Sequence, residues 1–309
     1  MSAVIIDAYA HVGLPRFQSV DDYQGVMDAA GIERAVLCAF GSCPDIAGVH
    51  AALRRWPGRF RELGVPIGHG RDEIEAAARA QLAAGFSGLR LSDADVVERP
   101  WLLDILAAAR GIAVVCVQVA APACARVLVE HLDRHDAAVV VGGHFAGVDR
   151  PAALDDRAVA ALFAHPQFFI VFSRQGASPA PAVRTWAEEV LGLTDWERVM
   201  WGSEAPVLFW RNETMGDALA WAEQLRPTEA QRAGFFGETA RRLCFDAAVT
   251  PAPLRLPFDP WDRARGLPVE QAVAGRLVAA WFASGGQGTL GEYAEKLLDG
   301  VLAPLPDGQ

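Results

Sequence analysis

The sequence predicts an α/β protein, a single (β/α)8 barrel with a C-terminal helical extension. Eight short apolar runs recur every 25 to 31 residues, and a stretch long enough for one helix follows each run. Continuous apolar runs are typical of parallel strands that are buried on both faces. The eight units end near residue 248, which agrees with the usual size of such a barrel, about 250 residues.

The strands are predicted at the apolar runs, and the helices between them. In chain order, the predicted strands are Val4–Ile6, Ala35–Phe40, Leu63–Ile67, Gly88–Leu91, Ala113–Val119, Ala138–Val141, Phe168–Phe172 and Val199–Trp201. Apolar residues at helical spacing predict helices over Asp21–Ala30, Glu73–Ala84, Trp101–Ala109 and Ala123–Leu132. Gly31, Gly85 and Gly111 follow three of these helices, as residues that end helices often do. A doubly wound sheet also alternates strands and helices, but no Gly-rich phosphate-binding motif follows the first strand, so we prefer the barrel.

Beyond about residue 249 the alternating pattern stops. We therefore divide the chain into a barrel domain, residues 1–249, and a Pro-rich linker with a helical extension, residues 250–309. Two amphipathic helices are predicted in this extension, over Val269–Trp281 and Thr289–Leu302. We expect the extension to pack against the barrel or against a partner subunit, as in a homo-oligomer. It carries no recognisable catalytic motif.

The charge balance and the cysteine pattern disfavour several classes of protein. The 309 residues carry a net charge of −10, from 28 basic and 38 acidic side chains, whereas nucleic-acid binders usually show a basic excess or stripe. The same balance disfavours an anionic membrane surface, and no apolar segment approaches the roughly 18 residues of a membrane span. A signal-peptide pattern is missing at the N-terminus, and the five cysteines include no C-x-x-C pair. We expect a cytoplasmic protein without a disulfide framework.

Polar residues interrupt or follow the predicted strands at their C-terminal ends, where barrel enzymes build their active sites. The residues in question are Asp7, Tyr9, His11, His69, Arg90, Gln118, His144, Arg174 and Glu204. An unpartnered polar group that is buried costs a few kcal/mol. Their accumulation at one end of the barrel therefore predicts a functional site there.

Five segments, in this order and at matching strands, resemble amidohydrolase family 2 of the amidohydrolase superfamily. They are Ile6-Asp7-Ala8-Tyr9-Ala10-His11, Gly85-Phe86-Ser87-Gly88-Leu89-Arg90-Leu91, Gly143-His144-Phe145-Ala146-Gly147, Met200-Trp201-Gly202-Ser203-Glu204-Ala205-Pro206 and Thr239-Ala240-Arg241-Arg242-Leu243. The resemblance covers residues 4 to about 248. It implies a TIM-barrel enzyme with a small-molecule substrate, similar to the aminocarboxymuconate semialdehyde decarboxylase-like enzymes or to the TIM-barrel lactonases.

The sequence departs from this family at positions that matter for chemistry. The family's first-strand motif is Asp-x-His-x-His, and here His11 keeps the second His while Tyr9 replaces the first. Gln118 stands where the family often has a metal-binding His, and Glu204 replaces the Asp of the eighth strand. His144 keeps a His that serves as an acid–base residue in decarboxylase-like members. We expect Tyr9 and Gln118 to contact substrate instead of metal.

The resemblance and the residue types leave two possibilities for a metal. His11, His144 and Glu204 would give two imidazoles and a carboxylate, an adequate set for one divalent ion, zinc first. These residues come from the first, sixth and eighth strands, so the set requires all three to converge. Some pyrone-lactonase relatives work without metal, and metal-free catalysis is the second possibility.

The function that these residues predict is hydrolysis of a small lactone or another activated carbonyl. Glu204 is the expected general base and His144 the acid–base or carbonyl-polarising partner. Arg90 and Arg174 either bind a substrate carboxylate in a bidentate manner or only balance nearby acids. Two alternatives stay open: a decarboxylase of the same family, and a non-catalytic accessory barrel that binds a partner through its extension.

Overall fold

The computed structural model describes residues 4–116, 119–147, 154–177, 179–264, 271–287 and 290–301. Its centre is one eight-stranded parallel sheet in which each strand pairs with the next along the chain. The strands are β1 Ile5–His11, β2 Ile32–Cys38, β3 Phe60–Gly64, β4 Gly88–Ser92, β5 Ile112–Cys116, β6 Val139–Gly142, β7 Phe168–Phe172 and β8 Val199–Trp201. Two backbone hydrogen bonds, from Glu204 N to Tyr9 O (2.9 Å) and from His11 N to Ala205 O (2.6 Å), join β1 to the segment after β8. The predicted (β/α)8 barrel is confirmed.

Helices surround the sheet in the order that the sequence predicts. They are α1 Val20–Ala30, α2 Ile46–Arg55, α3 Gly70–Ala84, α4 Asp93–Glu98, α5 Trp101–Ala109, α6 Pro122–Arg134, α7 Arg157–Ala164, α8 Ala180–Leu193, α9 Val207–Trp210, α10 Met215–Ala220, α11 Glu229–Ala233, α12 Gln271–Ala283 and α13 Leu290–Val301. Gly31 and Gly85 end α1 and α3 in the left-handed conformation, as predicted. After α5 the prediction is off by one residue, because Arg110 adopts that conformation, with φ 54°, before Gly111. No helix among the described residues is long and apolar enough to cross a membrane.

The apolar core has two layers, as expected for strands buried on both faces. Inside the barrel, side chains such as Ile6, Val114 and Met200 fill the axis. Between the sheet and its helices, residues such as Leu89 and Trp201 form a larger cluster. The filled axis leaves the strand ends as the place for a cavity.

The chain after the barrel returns to the barrel mouth. Ala252 N donates to Ala84 O at the end of α3, and Arg263 pairs with Glu73 in the first turn of the same helix. The segment therefore runs along α3 from the bottom of the barrel to the mouth, where α12 packs on α9 and buries Val278. The predicted helical extension is present and contacts the barrel of its own chain. A homo-oligomer through this extension stays a prediction.

Candidate functional site

Three residues at the strand ends have a left-handed backbone that is uncommon for residues other than glycine. They are His144 after β6 (φ 51°), Arg174 after β7 (φ 68°) and Glu204 after β8 (φ 57°). Backbone strain of this kind tends to collect at functional sites. All three residues line one cavity at the mouth of the barrel. This agrees with the sequence, which places each of them directly after a strand.

The cavity has a volume of about 350 Å³. The site residues predicted from the sequence that line it are His11, Arg90, His144, Arg174 and Glu204. Two further cations, Arg16 and Arg211, line it as well and were missed by sequence reasoning. Both lie in loops, where an arginine is usually a solvated surface residue and gives no distinguishing signal. Gln118, the other predicted contact, lies outside the described residues.

Glu204 is buried between two guanidinium groups. Arg174 donates to its Oε1 from Nε (3.0 Å) and Nη2 (2.6 Å), and Arg211 donates to its Oε2 from Nη1 (2.7 Å). The exposed fraction is 2% for the Glu204 side chain and 3% for Arg211, but 47% for Arg174. Burial alone would raise the pKa of Glu204, yet Arg174, His144 and Arg211 hold it well below its usual range. The carboxylate is therefore ionised, and Arg174 is its solvent-accessible partner.

His144 stands beside this carboxylate in its neutral form. Its Nδ1 lies 2.9 Å from Ser173 Oγ, and its Nε2 lies 3.5 Å from Glu204 Oε1. Burial, followed by the charge of Arg174, lowers the pKa of His144 well below its ordinary value. A neutral imidazole with Nδ1 accepting from the Ser173 hydroxyl carries its proton on Nε2. Such an N–H can donate to a ligand oxygen in the cavity.

His11 is also neutral and is held by packing. Its Nδ1 lies 3.2 Å from Cys38 O, and its ring stacks on Phe17 with centroids 4.9 Å apart. Burial, with Arg90 next in importance, lowers the pKa of His11 to about 3. The residue thus lines the cavity as an uncharged imidazole.

Tyr9 is hydrogen-bonded to Arg90. The Arg90 Nε donates to Tyr9 Oη (2.7 Å), and the same oxygen lies 3.2 Å from Cys116 Sγ. Burial raises the pKa of Tyr9 well above its usual value, so the phenol keeps its proton. Tyr9 is fully buried and its hydroxyl is held by Arg90. A contact between Tyr9 and substrate stays a prediction.

Asp7, the first residue of the family motif, is a structural link. Its carboxylate accepts from Tyr23 Oη (2.6 Å), from Ser203 N (2.9 Å) and from the Ser203 hydroxyl. Burial raises the pKa of Asp7. These bonds fasten β1 to the segment after β8 and so fix the position of Glu204 against Tyr9.

The predicted metal set does not fit a cation in this arrangement. Both oxygens of Glu204 accept from guanidinium groups, so a metal would have to displace Arg174 or Arg211 and then lie among their charges. His11, His144 and Glu204 do not bring three ligand atoms within 4.8 Å of one another. Among the described residues, the one cluster that does is a different set on the outer helices, Asp104, His131 and His135.

A family model described as Amidohydrolase matches residues 7–244, and the chain belongs to this family. No curated protein matches the chain. The family limits coincide with the barrel and stop before the linker and the extension. The family indicates that the chain is an enzyme.

Solved structures share the fold at low identity. A protein from Pseudomonas putida assigned as a 2-pyrone-4,6-dicarboxylic acid hydrolase is 24% identical, with a TM-score of 0.62 over 79% of this chain and 98% of its own. An amidohydrolase from Burkholderia multivorans with bound zinc is 18% identical, with a TM-score of 0.60 over 78% and 99%. A 2,6-dihydroxybenzoate decarboxylase from Rhizobium is 15% identical, with a TM-score of 0.55 over 78% and 98%. Proteins that share this fold therefore include one with bound zinc, one assigned as a hydrolase and one decarboxylase.

Proposed function

We propose that the chain hydrolyses a lactone or another activated carbonyl in a small substrate that carries at least one carboxylate. The observation that carries this proposal is the charge of the mouth. Four arginines line the cavity, whereas Glu204 and Glu213 are the acids that pair with them. The surplus of two positive charges favours an anionic ligand. An open cavity of about 350 Å³ also supports an enzyme over an accessory barrel, which would tolerate a collapsed mouth.

Arg16 and Arg90 are the proposed anchors of the substrate carboxylate. Within the described part of the chain, neither guanidinium makes an ion pair with an acid, and both lie over the Phe40 ring, at 4.5 and 4.6 Å from its centroid. Guanidinium groups bind carboxylates through paired hydrogen bonds of fixed geometry. A carboxylate between them would gain two partners without breaking an existing ion pair.

Glu204 and His144 are the proposed catalytic residues. Glu204 takes a proton from water, and the water oxygen bonds to the carbonyl carbon while the carbonyl electron pair moves onto its oxygen. The His144 N–H stabilises that oxyanion, as fixed donors do in acyl transfer. When the intermediate collapses, the carbon–oxygen bond of the ring breaks, and the leaving oxygen receives the proton back from Glu204.

Arg174 is proposed to adjust the basicity of Glu204. A carboxylate whose pKa is held low by two guanidinium groups is a weak base. Because Arg174 is half-exposed, a carbonyl or second carboxylate of the substrate can draw it away from Oε1. Glu204 would then keep only Arg211 and become a stronger base as the substrate binds.

The experiment compares matched lactones in water enriched in oxygen-18. A six-membered lactone with a free carboxylate should open and gain one labelled oxygen, whereas its methyl ester should turn over with a much higher KM. Arg90→Gln should raise the KM for the free acid and leave the ester unchanged. Equal KM values for the two compounds would contradict the carboxylate anchor. Loss of CO2 without labelled oxygen would identify a decarboxylase instead, and binding without turnover would identify an accessory barrel.

A further inference from the structure

We propose that the C-terminal extension completes the binding site with an apolar subsite, so that the substrate is an acid bearing an aryl or branched alkyl group. The cavity has two unlike walls. The strand ends supply the cations and imidazoles, whereas α12 and α13 supply Val278, Trp281, Phe282 and Leu290. An apolar wall facing a cationic one suits an amphiphilic carboxylate, because pockets bind apolar groups by burial and orient them by a few polar contacts.

The apolar wall is joined to the catalytic side of the cavity by a column of rings. Trp210 stacks on Phe17 with centroids 5.9 Å apart and an interplanar angle of 2°, and Phe17 stacks on His11. Helix α12 approaches this column closely at Gly275, where an added Cβ would lie 3.3 Å from Trp210 Cδ1. The wall is therefore packed against the site and does not merely lie near it.

The apolar wall lies outside the part of the chain that is shared with the family. The family match ends at residue 244, and the solved structures are matched over 98–99% of their own length but only 78–79% of this chain. The cations of the mouth precede residue 244, and the wall follows it. We infer that the extension changes which substrate is accepted while the chemistry stays with the barrel.

The size of the cavity agrees with this substrate class. An apolar cavity of about 150 Å³ is enough to hold benzene, and the cavity here measures about 350 Å³. A ring against Phe282 and Trp281 therefore leaves room for a carboxylate at Arg16 and Arg90. This inference rests on the proposed function in one respect, the anchoring of an anion by those arginines.

The test measures binding and not turnover, so that it is independent of the proposed reaction. Succinate and phenylsuccinate carry the same two carboxylates and differ by one phenyl group. We expect phenylsuccinate to bind at least about tenfold more tightly by calorimetry, since its phenyl group is buried against the apolar wall. Phe282→Ala should remove most of this preference and leave the succinate affinity unchanged.

Val273→Ala is the matched control, because Val273 lies on the same helix and is exposed; both affinities should match those of the unmodified chain. If Phe282→Ala fails to fold, as circular dichroism would show, Trp281→Ala serves the same purpose. The inference is overturned if the two ligands bind equally, if neither binds, or if the wall variants weaken both ligands alike. A preserved preference in a chain that opens no lactone would overturn the proposed reaction and leave the subsite standing.

Discussion

At the residue scale, Glu204 is the carboxylate that pairs with both Arg174 and Arg211. We expect Glu204→Gln to abolish turnover, because the amide cannot accept a proton, and also to lower the free energy of unfolding. Removing one partner of a fully buried ion pair costs about 3–5 kcal/mol. We expect a smaller loss here, because Arg211 keeps Glu213 and Arg174 is half-exposed. Activity assays and urea unfolding would measure the two effects separately.

Glu223→Gln is the matched control for this variant. Glu223 also accepts from an arginine, Arg232, at 2.6 Å, but both side chains are about half exposed. An exposed pair is worth about 0–1 kcal/mol, so we expect stability and activity close to those of the unmodified chain. Full activity in Glu204→Gln would make Glu204 a structural partner of the arginines and refute the proposed base.

Glu204→Asp tests the reach of the base. The carboxylate would retreat by about 1.5 Å, the length of one carbon–carbon bond, and a misplacement of about 1 Å can cost about 100-fold in rate. We therefore expect impaired turnover although the family residue is restored. A fully active Glu204→Asp variant would contradict the reach argument and leave the proton-transfer role intact.

The buried neutral imidazole of His11 predicts a loss of stability in mild acid. Its pKa is about 3 in the folded chain and about 6.5 when unfolded, so between these values the unfolded chain binds a proton that the folded chain does not. The free energy of unfolding therefore falls as the pH falls, by about 2 kcal/mol for this residue between pH 6.5 and 5. Glu204 adds a loss only below its ordinary pKa, since its folded value is lowered.

Urea unfolding at pH 6.5 and at pH 5 would check this. His11→Gln should shrink the difference between the two pH values by about 2 kcal/mol, and His144 should account for part of the rest because its pKa is lowered for the same reason. His69→Gln, at an exposed position, should leave the difference unchanged. A difference of equal size in the unmodified chain and in His11→Gln would show that His11 is protonated while folded.

The sequence predicts which polar side chains belong to the site, because each of them interrupts or follows an apolar strand. Burying such a side chain without a partner costs free energy. His11, Arg90, His144, Arg174 and Glu204 do line the cavity. Their partners could not be predicted in the same way. Arg16 and Arg211 reach the cavity from loops, and a loop sequence contains nothing that tells an inward arginine from a solvated one.

At the scale of elements, α1 offers a test of how glycine acts in and after a helix. Gly25 lies inside α1 and is exposed, Gly31 ends it with φ 69°, and an added Cβ at either position would meet nothing within 4 Å. Any effect of alanine there is therefore conformational. We expect Gly25→Ala to stabilise by up to about 1 kcal/mol and Gly31→Ala to destabilise by about 1–2 kcal/mol.

The melting temperatures of Gly25→Ala and Gly31→Ala would test these two expectations, and each variant serves as the control for the other. Activity should be unchanged in both, since α1 does not line the cavity in the described part of the chain. A shift of the melting temperature in the same direction for both variants would contradict the conformational explanation.

The strands show why the existence of a strand is easier to predict than its first and last residues. The apolar run of β1 stops at Ile6, but the strand continues to His11, because Asp7 is satisfied by Tyr23 and Ser203 and can be buried. β3 begins earlier than predicted, at Phe60, since it includes two buried charges. One of these, Glu62, accepts from Leu53 N. Long-range partners such as these cannot be read from a single apolar run.

At the scale of the whole molecule, positive charge is concentrated where the net charge of −10 gives no hint of it. Four of the 28 basic residues converge on one cavity. The resemblance to amidohydrolase family 2, in contrast, implies metal ligands at the same strand ends. The net charge is a sum over the whole chain, whereas the topology of the barrel brings arginines from separate strands and loops to a single site.

This distribution of charge predicts that activity does not depend on a metal. Two like unit charges 4 Å apart repel by about 4 kcal/mol at an effective dielectric constant of 20, and a divalent ion at Glu204 would lie beside the guanidinium groups of Arg174 and Arg211. We expect kcat/KM to be unchanged after dialysis against 1,10-phenanthroline. Any zinc found by elemental analysis should persist in His11→Ala and disappear in His131→Gln, because the outer cluster holds the ligand atoms that converge. The opposite result has three parts: activity is lost on chelation, it recovers with zinc, and the ion is lost in His11→Ala. These outcomes together would support the metal set of His11, His144 and Glu204 that the family pattern suggests. Arg174 or Arg211 would then have to move aside.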